Sequence, residues 1–283
     1  MKLAVAIMSF NRPGYLEQVI ASIKTQSFDD YEIILFQDGA MNKYSWRRAA
    51  NQGDIDDCIK MFKDAFPNSD TVISDVNIGI AQNWHSAEHT FFTEMNAPEV
   101  LFLEDDLILS KYYFETIHNM FNEFREDPEI GMFNAYGEVL EEETPHKMKE
   151  MGHLWSFGTT KKSWEKRQEF FNQYYDIVKN IDYAYRPLDQ IHNLHARVGA
   201  RDGIANSQDG AKSIAALLCN QIKISPKINM AKYIGEVGFH ATPVFYSQRG
   251  FARMPLYEEG PLSDFDIDKK SIRKELREKY MKG

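Results

Sequence analysis

The sequence predicts an α/β protein: a mostly parallel, twisted sheet flanked by helices, with a less regular second half. Three observations carry that expectation. Short apolar runs alternate with stretches of helical periodicity, the pattern of the strand–helix–strand units that build parallel sheets. The runs are almost free of polar interruptions, as strands buried on both faces are. Polar or acidic residues follow each run, at the edge where open α/β sheets bind ligands.

Leu3 to Met8 is the first such run, and Pro13 opens the next helix, where its missing N–H costs nothing. Leu16, Val19, Ile20 and Ile23 then recur at helical spacing. Tyr31 to Phe36 reads as a second strand, stopped by Gln37-Asp38-Gly39. Thr71 to Ser74 is a third, whose turn, Asp75 to Gly79, leads into a helix with Ile80, Trp84, Ala87 and Phe91 on one face. Val100-Leu101-Phe102-Leu103 is the fourth and runs straight into Glu104-Asp105-Asp106. Further on, helices are expected over Tyr112 to Phe124, Trp164 to Val178 and Ala211 to Leu218, and strands over Ile130 to Ala135 and Ile222 to Pro226. Glu138 to Glu150 reads as a polar loop, and Asp268 to Lys282 as a charged helix with few core positions.

Composition narrows the class. With 283 residues, 43% hydrophobic and 27% charged, the chain can bury a large core in water. No apolar stretch is long enough to span a bilayer, and the first strand lacks the h-region and cleavage site of a signal peptide. Cys58 and Cys219 outline neither a disulfide framework nor a zinc motif, so a cytoplasmic location is expected. A net charge of −9 argues against a protein that coats nucleic acid. Lys161, Lys162, Lys166, Arg167, Arg197, Arg201 and Lys212 read either as solvated faces or as a local phosphate-binding groove.

The chemistry concentrates at the strand ends. Alternation along an extended chain would point Glu104 and Asp106 one way and Asp105 the other. Two hard oxygen ligands on one side suit Mg²⁺ or Mn²⁺ held together with nucleotide phosphates. Ser9-Phe10-Asn11-Arg12-Pro13, Asp38 and Asn77-Ile78-Gly79 fall at the ends of the other three strands. The first turn has neither G-x-G-x-x-G nor a P-loop, which excludes those two nucleotide-binding designs.

Taken in this order, Ser9 to Pro13, Asp38 and Glu104-Asp105-Asp106 resemble the nucleotide-sugar glycosyltransferases of the GT-A fold, family 2-like. Trp155 to Lys166 resembles the W-G-W-A-T-W-K-R-A-W-E-K block of a bacterial and viral group within them. Ile224 to Met230, Ile234-Gly235 and His240-Ala241-Thr242 resemble that group's closing P-x-x-N…N-I-G-x-x-x-x-H-x-T block. Ser156-Phe157 replaces Gly-Trp, and Tyr233 replaces the usual Asn, changes that bear on sugar and acceptor specificity.

The resemblance implies a metal-dependent, inverting UDP-sugar glycosyltransferase. Residues 1–110 would form the nucleotide-sugar half, 111–245 the acceptor half of the same domain, and 246–283 a tail. By resemblance Asp106 binds the Mn²⁺ or Mg²⁺ and the diphosphate, Glu104 and Asp105 lie beside ribose or sugar, and Asp38 meets the uracil or ribose. Ser9, Asn11, Arg12, Asn77, Gly79 and Trp155 complete the donor site. His240 is the expected third metal ligand, with a hydrogen-bonded core histidine as the alternative.

An acceptor hydroxyl needs a carboxylate to remove its proton. Asp209, in the acidic turn Asn206 to Gly210 ahead of a helix, is the candidate, and Asp202 the alternative; a plain helix cap would also explain Asp209. His85 and His89 are spaced like a metal pair but lack a third zinc ligand. Trp155 and Trp164 read as core or as a sugar platform. The expected acceptor is a glycan precursor handled at the cytoplasmic face. The alternative is a hydroxymethylated pyrimidine in phage DNA, held by the basic stretch and flipped out. A sugar-nucleotide nucleotidyltransferase would need a Gly-rich basic first loop, and a non-catalytic carbohydrate-binding relative would lose the acidic cluster.

Overall fold

The computed structural model describes residues 2–137, 144–238 and 242–282. The chain begins with β1 (Leu3–Ser9), α1 (Pro13–Lys24), β2 (Tyr31–Gln37), α2 (Gln52–Ala65), β3 (Thr71–Ile73) and α3 (Ile80–His89). A π-helical turn, Thr90–Glu94, extends α3 before β4 (Glu99–Glu104), β5 (Leu107–Leu109), α4 (Tyr113–Phe124) and β6 (Ile130–Phe133). There follow β7 (Met148–Glu150), β8 (Ser156–Thr160), α5 (Lys161–Val178), α6 (Leu188–Arg197) and α7 (Gln208–Leu218). The chain closes with β9 (Ile222–Pro226), β10 (Ala231–Tyr233), α8 (Pro243–Gln248) and α9 (Lys269–Tyr280).

Among the described residues eight strands form one sheet in the order β3-β2-β1-β4-β8-β6-β9-β7, and β5 pairs with β10 in a separate ribbon. β1 is buried along its whole length and lies parallel to β2 and β4, with Val5 opposite both Ile33 and Leu101. Its alternation feeds two cores. Leu3, Val5 and Ile7 pack with Leu16, Ile20 and Phe114 on one face. Ala4, Ala6 and Met8 pack with Trp84, Phe91 and Phe102 on the other. Each fully buried large side chain contributes roughly 1.5–3 kcal/mol, which is why the uninterrupted runs settle at the sheet's centre. A third cluster, including Phe170, Tyr174, Leu194 and Ile214, joins α5, α6 and α7.

The sheet is mostly parallel, with an antiparallel strand at its centre. β8 runs antiparallel between β4 and β6, from Glu99 opposite Thr160 to Leu103 opposite Ser156. Gly158 makes that insertion possible, because a Cβ there would lie 2.7 Å from the Phe133 ring and 3.0 Å from that of Phe121. The expected polar loop is also corrected at its end: Met148–Glu150 is the edge strand β7, antiparallel to β9, while 138–143 lie outside the described residues. Ile80, expected on the buried face of α3, is exposed. The tail is bound to the sheet through Ile272 and Leu276 of α9, both buried.

Candidate active site

The adjacent parallel strands β1 to β4 end at one edge, and their loops interlock there. Asp38, just past β2, accepts hydrogen bonds at Oδ1 from the N–H groups of Gly39 (2.8 Å) and Ile78 (2.8 Å). At Oδ2 it accepts from Gly79 N–H (3.0 Å) and Asn77 Nδ2 (2.9 Å). Burial pushes Asp38 up to about 6 against the pull of these backbone donors. Asp38, Asn77 and Gly79 therefore form a closed knot that fixes the loop ahead of α3. Gly79 itself, at φ +79°, abuts Tyr183, where a Cβ would come within 2.9 Å.

The loop after β1 reaches the acidic turn. Ser9 is buried, Asn11 is half-buried, and the Arg12 guanidinium forks across two carboxylates, reaching Asp106 Oδ2 at 2.6 Å and Asp105 Oδ1. Phe10 N–H also donates to Asp105 Oδ2 at 3.3 Å. The strand-like alternation expected for the triplet is thus wrong. β4 stops at Glu104, and Asp105 and Asp106 form a tight turn into β5, which brings both to the same arginine.

The turn is electrostatically tense. Burial, then the charges of Asp106 and Asp209, raise Glu104 well above the usual carboxylate range, and Arg12 only partly offsets them. Burial pushes Asp106 up to about 6, with Arg12 pulling it down and Asp105 pushing it up.

The β5–β10 ribbon roofs this turn, pairing Leu107 with Tyr233. Ile234 N–H donates to the Asp106 carbonyl at 2.9 Å, and a Cβ on Gly235 would lie 2.5 Å from Asp106 Oδ2. That closeness gives the Ile-Gly of the closing block a steric reason. Val237 N–H donates to the Tyr15 hydroxyl at 3.1 Å, tying the roof to α1. Trp155 accepts at its carbonyl from Glu104 N–H (2.9 Å) and stacks between His153 at 4.0 Å and Tyr233 at 4.2 Å. Tyr233 is therefore a wall of the site. His240 lies outside the described residues.

Asp209 and Asp202 part company. Asp209 sits in the first turn of α7, near enough for its charge to act on Glu104 and on Lys212. Asp202 is 91% exposed and pairs with Lys282 at 3.0 Å. Both line a cavity of about 480 Å³. Lys212 and Arg167 are corrections to the basic stretch. Lys212 is buried against Glu88, and Arg167 is buried with its guanidinium on the Gly131 carbonyl (2.8 Å) and Thr159 Oγ1 (2.8 Å). Neither can reach a phosphate. His85 stacks on Tyr175 at 3.8 Å, and His89 instead faces Glu94. Trp164 stacks on Phe92 and is core.

Among the described residues no three His, Cys, Asp or Glu side chains converge as a metal cage. One atom nevertheless fits a divalent cation held largely by a diphosphate: Asp106 Oδ1 is buried and has no hydrogen-bond partner among the described residues. Hard cations that keep most of their shell from phosphate and water need only one or two such oxygens. The site therefore fits the ion through Asp106, with Glu104 beside it.

An open sheet with its loops and buried carboxylates gathered at the carboxyl edge, and one antiparallel strand inserted at its centre, is that of a GT-A glycosyltransferase. The chain belongs to glycosyl transferase family 2, whose model matches residues 4–181. It is an enzyme of the glycosyltransferase class. Among solved structures it is similar to S. aureus TarS 1–349, at 12% identity over 99% of this chain and 70% of that one, with a TM-score of 0.48. The same fragment in complex with UDP matches at 12% identity over 80% and 58%, TM-score 0.44. The galactosyltransferase LgtC, in complex with donor and acceptor sugar analogs, matches at 10% identity over 89% and 95%, TM-score 0.40. The chain spans 43% of the longer TarS chain. Among curated proteins none matches. Among the described residues no helix is long and apolar enough to cross a membrane.

Proposed function

We propose that the protein transfers a sugar from a UDP-sugar to a hydroxyl of a glycan precursor, with inversion, at the cytoplasmic face. The observation that supports this is the buried acidic turn at the carboxyl edge of the sheet, where Asp106 Oδ1 has no hydrogen-bond partner among the described residues, together with Asp209 in the first turn of α7, close enough for its charge to act on Glu104. Mn²⁺ or Mg²⁺ on Asp106 would neutralise the charge that grows on the departing diphosphate. Asp38 serves the donor by holding the Asn77–Gly79 loop in shape, since both its oxygens are taken by that loop. Asp209 takes the proton of the acceptor hydroxyl as the acceptor oxygen bonds to the anomeric carbon and the bond to the diphosphate oxygen breaks. Glycosylation of DNA is left with a basic stretch two of whose members are buried.

The test combines two variants. With Mn²⁺ present, Asp106→Asn should lower UDP affinity at least about tenfold by calorimetry, on the order of 1.4 kcal/mol. Asp209→Asn keeps the side chain's shape in the first turn of α7, whose N-cap is Ser207, and should bind UDP normally, while transfer falls by roughly 10²–10⁴-fold. Product NMR should show inverted anomeric configuration. Retained configuration, or normal turnover by the Asp209 variant, would move the base elsewhere.

A further inference from the structure

The cavity behind Asp209 has a floor that the donor chemistry does not use. Ser213 lies one helical turn beyond Asp209, and its buried Oγ has no hydrogen-bond partner among the described residues. Lys223 of β9 also lines the cavity, 2% exposed, with its Nζ 3.1 Å from the Tyr280 hydroxyl and 3.9 Å from Glu150. Glu150 is shared, because Lys279 holds it at 2.8 Å. Arg201 completes this wall with its Nε on a neutral partner, the Met281 carbonyl at 3.0 Å. Around the last turn of α9, then, Lys223 and Lys279 share the carboxylate of Glu150, Asp202 pairs with Lys282, and Arg201 donates to a neutral carbonyl.

A volume of about 480 Å³ falls within the range of small-ligand pockets. We propose that this cavity is the acceptor subsite and that it selects hydroxyl-bearing acceptors carrying an anionic group, a carboxylate or a phosphate, seated at Lys223 and Arg201. The inference rests on Asp209 being the base, since the reacting hydroxyl must reach it from this cavity. Ser213 Oγ supplies a hydrogen bond to a second hydroxyl. The C-terminal helix is on this account part of the binding site, contributing Lys279 and Tyr280.

The whole chain, with UDP present, is titrated by NMR with two matched pairs of probes: methyl glucuronide against methyl glucoside, and glycerol 3-phosphate against glycerol. At least one acidic probe should bind about tenfold or more tightly than its neutral twin, as a charge-assisted contact at a partly closed site predicts. Which acidic probe wins tells carboxylate from phosphate. Arg201→Gln and Lys223→Met should each erase most of the preference and leave UDP affinity unchanged. If burying methionine at 223 unfolds the protein, Arg201→Gln, at an exposed position, decides alone. Acidic and neutral twins binding alike, no probe binding at all, or a preference untouched by Arg201→Gln overturns the subsite. Loss of UDP binding in the parent would instead refute the donor reading, a separate result from the probe titration.

Discussion

Replacing Lys212 with methionine isolates the cost of one stranded charge. The Lys212 ammonium and the Glu88 carboxylate are buried at 5% and 3% exposure, and they bond directly. The aromatic rings of Trp84, Phe171 and Phe157 lie 5.0, 5.1 and 5.4 Å from Nζ, so a methionine of similar length keeps the apolar contacts. Burial pulls Lys212 down and Glu88 pulls it back, so the ammonium depends on its partner. Removing one member of such a pair leaves the other charged and desolvated, at a cost of about 3–5 kcal/mol. For 283 residues the unfolding entropy is about 0.6 kcal/mol per degree, so Tm should fall by roughly 5–8 °C in calorimetry. Glu88→Gln in the Lys212→Met background removes the stranded charge and keeps an acceptor for Trp164 Nε1, which now sits 3.3 Å from Glu88. The double variant should recover most of the loss. A single variant within about 1 kcal/mol of the parent, or a double variant no better than the single, would refute the reasoning.

Gly158→Ala should lower the urea midpoint by an amount worth roughly 1–3 kcal/mol, the usual cost of overpacking, because its Cβ collides with Phe133 and Phe121; an unchanged midpoint would show that β8 has slack. His195 is buried, and burial lowers its pKa. As pH falls through about 6.5 the unfolded chain takes up a proton that the folded ring refuses, so stability held above that pH is lost on acidification. His195→Leu should flatten the drop in Tm between about pH 7 and about pH 5, and an unaltered slope would assign the acid sensitivity to other groups.

The four donor-side strands were legible because each is a mostly apolar run, with Glu32 in β2 and Thr71 in β3 among the exceptions, and their ends marked the site edge. β8 was not. Ser156-Phe157-Gly158-Thr159-Thr160 is rich in small and hydroxyl residues, which answer to remote partners: Gly158 to the rings of Phe133 and Phe121, Ser156 to the Tyr113 hydroxyl and Thr159 to the Gly131 carbonyl. α2 went unread because its buried positions, Ile55, Cys58 and Phe62, stand among acidic and basic neighbours, although their spacing is helical. The acidic triplet announced itself, but its geometry depended on where β4 stops, which is decided by the ribbon that Leu107–Leu109 makes with a segment more than a hundred residues on. Lys212 and Arg167 read as surface charges because what neutralises or satisfies them, Glu88 and the Gly131 carbonyl, comes from remote parts of the chain.

The antiparallel strand in the sheet's middle has a consequence for how the protein is made. β4 offers Val100-Leu101-Phe102-Leu103 along an edge that is covered only when Ser156–Thr160 arrives. Synthesis runs at about 5–20 residues per second, so the nascent chain carries that bare edge for several seconds before the covering strand exists. An uncovered apolar strand is a template for pairing with another chain. Fragments ending near residue 110 would carry the exposure permanently, and the nascent protein is therefore a natural client for chaperones during that interval.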